Sequence, residues 1–186
     1  MVEPTARKQR TEERRRRILE VARERADADG WSAVTTRHLA DAIGYTQPVL
    51  YGHFPGGKSE IMLTVAMEGF ADLTQRCRIA LEAADAARAP EVAALAYLDF
   101  GSAHPAVYEA MFQQAIDAKF DSDETPPALR AAFDLLSTSI GDDKGGAATE
   151  VFWGALHGIS LLERAGRMRP EHRADRVAEL TARFGA

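Results

Sequence analysis

The sequence predicts an all-α protein of about nine helices, with a small N-terminal domain and a larger C-terminal one. Apolar residues recur at steps of three and four along most of the 186 residues, and no segment shows the alternation of a half-buried strand. Charge is divided unevenly, since residues 1–58 carry 11 Lys and Arg against 8 Asp and Glu, whereas residues 59–186 carry 12 against 20. A basic N-terminal third on an acidic remainder suits a protein that binds phosphates at one end.

The first helix is expected to run from Thr11 to a stop at Gly30. Its apolar stripe consists of Ile18, Leu19, Ala22 and Ala26. Residues 1–10 have no apolar stretch behind their basic residues, so we expect a disordered tail and not a secretory signal. The basic residues of this region could add nonspecific affinity for DNA, or the tail could simply be solvated; they are Arg7, Lys8, Arg10 and Arg14 to Arg17.

Residues 35–58 contain two short helices hinged at one glycine. Thr35 or Thr36 can cap the first helix, Gly44 ends it, and Thr46 can cap the second, with Pro48 in its first turn. The apolar positions that can pack inward are Leu39, Ala40, Ile43, Val49 and Leu50. Two helices joined by a short turn that contains glycine form a helix-turn-helix unit, whose second helix enters the major groove of DNA.

Three runs in this window are Thr-Thr-Arg-x-Leu-Ala at 35–40, Gln-Pro-x-Leu-Tyr at 47–51 and His-Phe-Pro-Gly-Gly-Lys at 53–58. Together they resemble the DNA-binding domain of TetR-type transcriptional regulators. Two departures leave the operator preference open: Gly52 stands where a large or basic side chain is usual, and the Gly56-Gly57 pair lengthens the following turn.

Arg37 and Gln47 are the expected base readers, and the resemblance places base contacts at both positions. An arginine can fork onto guanine and a glutamine can pair bidentately with adenine, although a solvated surface arginine is the alternative for Arg37. Val49 could touch a thymine methyl group or lie in the small core.

Thr36, Tyr51, His53 and Lys58 are the expected phosphate contacts. Lys58 places a cation at a helix N-terminus, where a bound phosphate would remove the conflict with the helix dipole. His53 is expected to be a neutral hydrogen-bond donor, and Tyr51 could instead pack against the following long helix.

Six further helices are expected beyond this window. Their ranges are 58–87, 90–104, 105–112, 128–140, 147–165 and 170–184, with a polar loop at 117–127. We therefore predict a tail at 1–10, a helix-turn-helix domain at 11–57, and a helical ligand-binding and dimerisation domain at 58–186.

The segment Val-Phe-Trp-Gly-Ala-Leu-His-Gly-Ile at 151–159 is similar to the Trp-x-x-x-His-Gly signature of one TetR-type ligand-binding body. The run at 104–112, His-Pro-Ala-Val-Tyr-Glu-Ala-Met-Phe, looks like a companion motif. The resemblance implies a repressor that binds a near-palindromic double-stranded operator as a homodimer, joined through its last two helices, and that a small effector releases.

Candidate effector contacts are aromatic, methionine or histidine side chains, for which a plain core role is the alternative. They are Phe70, Tyr97, Phe100, Tyr108, Met111, Phe112, Phe133, Trp153 and His157. Trp153 and His157 lie one turn apart on an apolar helix, so each ring N–H needs a buried partner: a ligand, a backbone carbonyl or an interface group. The few charges nearby favour an apolar or weakly polar effector.

Catalysis is not expected. The histidines lack Glu-x-x-His spacing, and the chain has no glycine-rich phosphate loop or activated nucleophile pair, so we predict no cofactor and no metal. The lone Cys77 excludes an internal disulfide, and no apolar run could span a membrane, which together favour the cytoplasm. A protein-only adaptor is the other alternative, although it would not need the basic N-terminal region.

Overall fold

The structure, a computed structural model, describes residues 6–112, 125–142 and 146–184, and every regular element in these ranges is helical. Nine α-helices lie within them: α1 (Ala6–Asp29), α2 (Thr36–Ala42), α3 (Gln47–His53), α4 (Gly57–Glu82), α5 (Ala89–Ala103), α6 (Pro105–Phe112), α7 (Pro127–Ser139), α8 (Ala147–Arg164) and α9 (Arg173–Thr181). The all-α prediction is confirmed. Residues 117–124 of the loop expected at 117–127 lie outside the described residues.

The chain divides into two compact units. The N-terminal unit comprises Met1–Ala66 and Pro105–Asp117, and the C-terminal unit comprises Met67–His104 and Ala118–Ala186. The division falls within α4 and groups α6 with α1 to α3. Helix order along the sequence did not indicate that grouping.

Helix α1 begins earlier than the sequence predicted. Its first residue is Ala6, and the hydroxyl of Thr11 donates to the carbonyl oxygen of Arg7 at 3.0 Å from inside the helix. The expected cap at Thr11 was therefore wrong, and residues 6–10, expected as tail, are helical. Alanine, arginine, lysine and glutamine are strong helix formers, which explains the extension. Residues 1–5 lie outside the described part of the chain.

The core of the N-terminal unit forms around the predicted stripe of α1. Ile18, Leu19, Ala22 and Ala26 are all buried, and the helix ends before Gly30, whose φ of 78° suits glycine. The buried indole of Trp31 donates to the carbonyl oxygen of Ala106 at 2.8 Å, and the Ala106 N–H donates to Asp27 at 3.0 Å. These two bonds attach the first turn of α6 to this unit.

In the C-terminal unit, the start of α8 is capped by one carboxylate. Asp142 Oδ2 accepts from the backbone N–H groups of Gly146 and Thr149, at 3.2 and 3.1 Å, and from the Thr149 hydroxyl at 2.8 Å. Orphan N–H groups at a helix N-terminus are stabilised by such an acceptor, and its negative charge suits the dipole. Asp142 therefore fixes where α8 begins.

Helix α8 buries one face within the chain and exposes another. Its buried side chains are Thr149, Phe152, Leu156 and Ser160, at helical spacing. On other faces Val151 and Leu162 remain 62% and 40% exposed. The apolar character that the sequence showed around this helix is therefore only partly covered by its own chain.

Glu163 is the centre of an ion-pair cluster that joins α5, α8 and α9. Its carboxylate lies 2.6 Å from Arg176 Nη2 and 3.3 Å from Arg173 Nε, and Arg173 Nη1 lies 2.7 Å from Asp99. Because the Glu163 side chain is only 13% exposed, water screens these pairs less than it screens surface pairs. We call Asp99, Glu163, Arg173 and Arg176 the carboxylate–arginine cluster.

Candidate nucleic-acid interface

Helices α2 and α3 are joined by the turn that the sequence indicated. Thr35 is the N-cap of α2, and its hydroxyl accepts from the His38 N–H at 3.1 Å. Gly44 has a φ of 72°, and its N–H donates to the backbone carbonyl oxygen of Asp41, which closes the helix. Thr46 stands at the N-cap of α3 without a side-chain capping bond, so only part of that prediction is confirmed.

The apolar side of the pair faces the core of the N-terminal unit. Leu39, Ala40 and Leu50 are buried, whereas Ile43 and Val49 are half-buried. Leu50 is the only fully buried residue of α3. The partial exposure of Val49 is compatible with both roles proposed for it, a core residue and a contact to a thymine methyl group.

The two expected base readers are exposed near the starts of the two helices. The Arg37 side chain is 82% exposed, and its guanidinium lies 4.0 Å from the Asp41 carboxylate one turn later. Such a surface ion pair contributes little to stability, so Arg37 can readily exchange Asp41 for another partner. Gln47 is the first residue of α3 and is also exposed. Both side chains can therefore reach a ligand without rearranging the core.

Thr36 and Tyr51 come together at the first residue of α4. A β-carbon placed on Gly57 would lie 3.3 Å from Tyr51 Cε1 and 3.6 Å from Thr36 Cγ2. Gly57 also has a φ of 60°, which favours glycine, and a β-carbon there would require the Tyr51 ring to shift by a few tenths of an ångström. Tyr51 thus packs at the start of the long helix, as one alternative predicted, yet remains 44% exposed.

Lys58 has a protein partner that the sequence did not reveal. Its ammonium group donates to the carbonyl oxygen of Trp31, 27 residues earlier. That bond gives a structural reason for a lysine at the start of α4. An ammonium group has three donors, so the contact leaves capacity for a phosphate oxygen.

His53 is half-buried at the end of α3. Burial, and then the positive charges of Arg14 and Arg15, lower the pKa of its imidazole. A neutral imidazole at neutral pH agrees with the expected role as a hydrogen-bond donor. Within the described residues no cluster of His, Cys, Asp and Glu could hold a metal ion.

Most of the basic residues of α1 form ion pairs or hydrogen bonds within the protein. Arg16 lies 2.6 Å from Glu13 and 2.7 Å from Glu20, pairs that the three- and four-residue spacing could have signalled. Arg14 instead stacks on the exposed ring of Tyr45, with 5.1 Å between its guanidinium carbon and the ring centroid. Sequence reasoning missed this stacking, although it placed Tyr45 in the turn between α2 and α3.

Most of the candidate effector contacts lie in the C-terminal unit. Phe70, Tyr97 and Phe100 are buried there, and Phe133, Trp153 and His157 are half-buried. The Trp153 indole N–H donates to the Tyr97 hydroxyl at 3.2 Å, so its partner is a phenol of the neighbouring helix. Burial, and then the charge of Arg164, lower the pKa of His157. Burial raises the pKa of the Cys77 thiol to about 12, so it is protonated at neutral pH.

The remaining candidates belong to the N-terminal unit. Tyr108 and Met111 are buried on α6, and Phe112 is half-buried. The rings of Tyr108 and Phe112 are 4.7 Å apart. Their mutual packing agrees with the core role that was the alternative for each of them.

Two short helices joined by a glycine turn, with exposed arginine and glutamine near their starts, define a helix-turn-helix DNA-binding protein. Comparison with known families specifies it further. Residues 18–65 match the family described as bacterial regulatory proteins, tetR family, and residues 91–184 match the tetracyclin repressor-like C-terminal domain. The chain belongs to the TetR family of transcriptional regulators.

Individual proteins are similar to this chain in sequence or in fold. An uncharacterized HTH-type transcriptional regulator of Mycobacterium tuberculosis is 29% identical over 163 residues, which cover 83% of this chain and 72% of that one. A protein with unknown function from Rhodococcus superposes with a TM-score of 0.74 at 24% identity, covering 92% of both chains. A tetR-family regulatory protein from Rhodococcus superposes with a TM-score of 0.65 at 18% identity, covering 93% of this chain and 97% of that one. Among the described residues no helix has the length and apolarity to cross a membrane.

Proposed function

We propose that this regulator is a cytoplasmic homodimer that represses transcription from a near-palindromic operator and is released by a small effector. The observation that carries this proposal is the exposed end of the helix pair, where Arg37 and Gln47 lie near the helix N-termini. A major-groove reader needs side chains of these types in that position.

Within this surface we assign two kinds of contact. Arg37 and Gln47 read bases, with Val49 beside a thymine methyl group, and these contacts set sequence preference. Thr36, Tyr51, His53 and Lys58 bind phosphates, which fixes the register and makes affinity depend on salt. The approach of Thr36 and Tyr51 to Gly57, next to Lys58, supports grouping three of these residues at one phosphate.

The homodimer is supported by the uncovered side of α8. Val151 and Leu162 are exposed there, and β-carbons on Gly154 and Gly158 would meet open space. A second copy of α8, together with α9, can approach closely where side chains are this small. A two-fold dimer places its two helix-turn-helix domains on half-sites about 34 Å apart, or a multiple of that distance.

An apolar or weakly polar effector is supported by the aromatic residues of the C-terminal unit. Phe133 and Trp153 meet edge to face, with 6.3 Å between ring centroids, and Trp153 is held by Tyr97. Membership of the Trp-x-x-x-His-Gly subgroup is part of this proposal and rests on Trp153, His157 and Gly158. A thermal-shift screen of apolar compounds, with Trp153→Phe as control, tests it. A compound that stabilises both proteins equally would place the effector elsewhere.

The main experiment selects DNA duplexes from a random library with the full-length protein and measures binding by mobility shift. We expect a near-palindromic sequence to be enriched, and light scattering to give twice the 20.3 kDa chain mass at micromolar concentration. If no duplex binds even at low salt, the protein-only adaptor becomes the better explanation. We assign no enzymatic activity.

A further inference from the structure

The recognition helix α3 is too short to set its own orientation. It has seven residues, Gln47–His53, whereas isolated helices need roughly 12 to 15 to be even marginally stable in water. Leu50 is its only fully buried residue. Val49 and His53 are only half-buried, so a further attachment at the C-terminal end of α3 adds to the control of where Gln47 points.

Arg15 of α1 supplies an attachment at the other end of α3. Its guanidinium donates to the carbonyl oxygen of His53, the last residue of the helix. The last carbonyls of a helix have no intrahelical partner and form the negative end of its dipole, so a cation is well placed there.

The same guanidinium stacks on Phe54, the residue that caps α3. Its central carbon lies 4.1 Å from the centre of that ring, and Phe54 is fully buried. The Phe54 N–H donates to the carbonyl oxygen of Leu50 at 2.9 Å. Stacking by Arg15 therefore holds the cap as well as the final carbonyl.

Arg15 also reaches the start of α4. Its Nη1 lies 4.0 Å from Glu60 Oε1, while Glu60 Oε2 accepts from the Gly56 N–H at 2.9 Å. One side chain from α1 thus contacts the end of α3, its cap and the acidic residue that closes the following turn.

We infer that Arg15 is a positioning residue for the recognition helix. It does not touch DNA; it fixes the C-terminal end of α3, and because the helix is only about 10 Å long, this sets where Gln47 points. The inference rests on the proposed DNA-reading function. The pairing of Arg15 with a carbonyl 38 residues away distinguishes it from its neighbour Arg16, which pairs with Glu13 and Glu20 of its own helix.

The test compares Arg15→Gln with Arg16→Gln in the full-length protein. Both variants remove one positive charge from the same helix, so any general electrostatic effect is matched. Binding is measured to the duplex that the wild-type protein enriches from a random library and to a scrambled duplex of the same composition. We expect Arg15→Gln to lose about 10- to 100-fold in affinity for the enriched duplex only, the range for a hydrogen bond to a charged group. Arg16→Gln should change the affinity for the enriched duplex and the affinity for the scrambled duplex by factors that agree within about twofold.

Salt dependence separates positioning from direct contact. The slopes of affinity against salt should be the same in the two variants, because the structure engages Arg15 with the His53 carbonyl and Arg16 with Glu13 and Glu20. A slope reduced by about 0.9 in Arg15→Gln alone would mean that Arg15 contacts a phosphate, and the inference would be overturned. Equal losses of specific affinity in the two variants would also overturn it.

Hydrogen exchange tests the attachment without DNA. The backbone amides of residues 49–54 should exchange faster in Arg15→Gln and at wild-type rates in Arg16→Gln; unchanged rates in both would contradict the inference. If Arg15→Gln does not fold, Arg15→Lys replaces it, since lysine keeps the charge and a donor but loses the planar stack. That variant should lose several-fold in specific affinity, and full wild-type affinity would exclude a role for the stacking. If the wild-type protein enriches no duplex, the proposed function fails, and the exchange result still decides the attachment.

Discussion

In the helix pair α2 and α3, the ends of α2 and the turn that follows it are shaped mainly by local sequence signals. In the pair α8 and α9, by contrast, the packing of α9 on α8 depends on residues far apart in the chain. In the first pair Thr35 caps one helix and Gly44 turns the chain within ten residues. In the second, Arg173 reaches Asp99, which is 74 residues away. The position of α9 should therefore be sensitive to single long-range contacts, and the turns next to α2 and α3 to local backbone requirements.

The largest effect should come from breaking the carboxylate–arginine cluster. Glu163→Ala leaves Arg173 and Arg176 without their shared carboxylate in a poorly exposed site, and such a loss costs about 2 to 3 kcal/mol. Urea denaturation measures it. Glu179→Ala is the control, because its pair with Arg183 is exposed and should matter by less than about 0.5 kcal/mol. Equal losses of unfolding free energy in Glu163→Ala and Glu179→Ala would mean that the cluster does not hold α9.

Replacing Gln47 tests the exposed end of α3. Gln47→Ala should reduce discrimination at one base pair by about 1 to 3 kcal/mol, whereas Lys58→Ala should weaken all duplexes and lower the salt slope by about 1. Selection from a random library shows the loss of discrimination, and mobility shift at several salt concentrations shows the change in affinity and in the salt slope. Identical losses across all sequences for the two variants would contradict our division into base readers and phosphate contacts.

The contrast between the two pairs also explains which features could be predicted from the sequence. Thr35, Gly44 and the buried spacing of α1 are local signals, and the helices they imply are present. The start of α1 was missed because helix-forming residues continue past Thr11 on its N-terminal side. Local patterns carry no information on which distant group a side chain will meet, so the partners of Arg15 and Lys58 were not foreseen.

Gly57 tests the local requirement in the N-terminal unit. Gly57→Ala should destabilise the protein by about 1 to 2 kcal/mol, since alanine is strained at a φ of 60° and its β-carbon would crowd Tyr51. Gly52→Ala is the matched control. It lies within α3 with open space around the added carbon, so it should stabilise by about 0.5 to 1 kcal/mol. Thermal unfolding measures both changes in stability. If the two variants were both stabilised or both destabilised, the backbone argument would be refuted.

The smallest effect concerns one histidine in each pair, His53 and His157. Burial is the main cause that lowers the pKa of each, so the unfolded chain binds protons more readily than the native state does. Their contribution to stability is complete above the unfolded value of about 6.5 and is lost as pH falls through that value towards the native ones. Titration by NMR should place both imidazoles below 6.5, and His53→Gln should make the acid-side decline shallower. An imidazole of His53 that titrates above 6.5 would contradict its burial at the end of α3, the main cause of the lowered pKa.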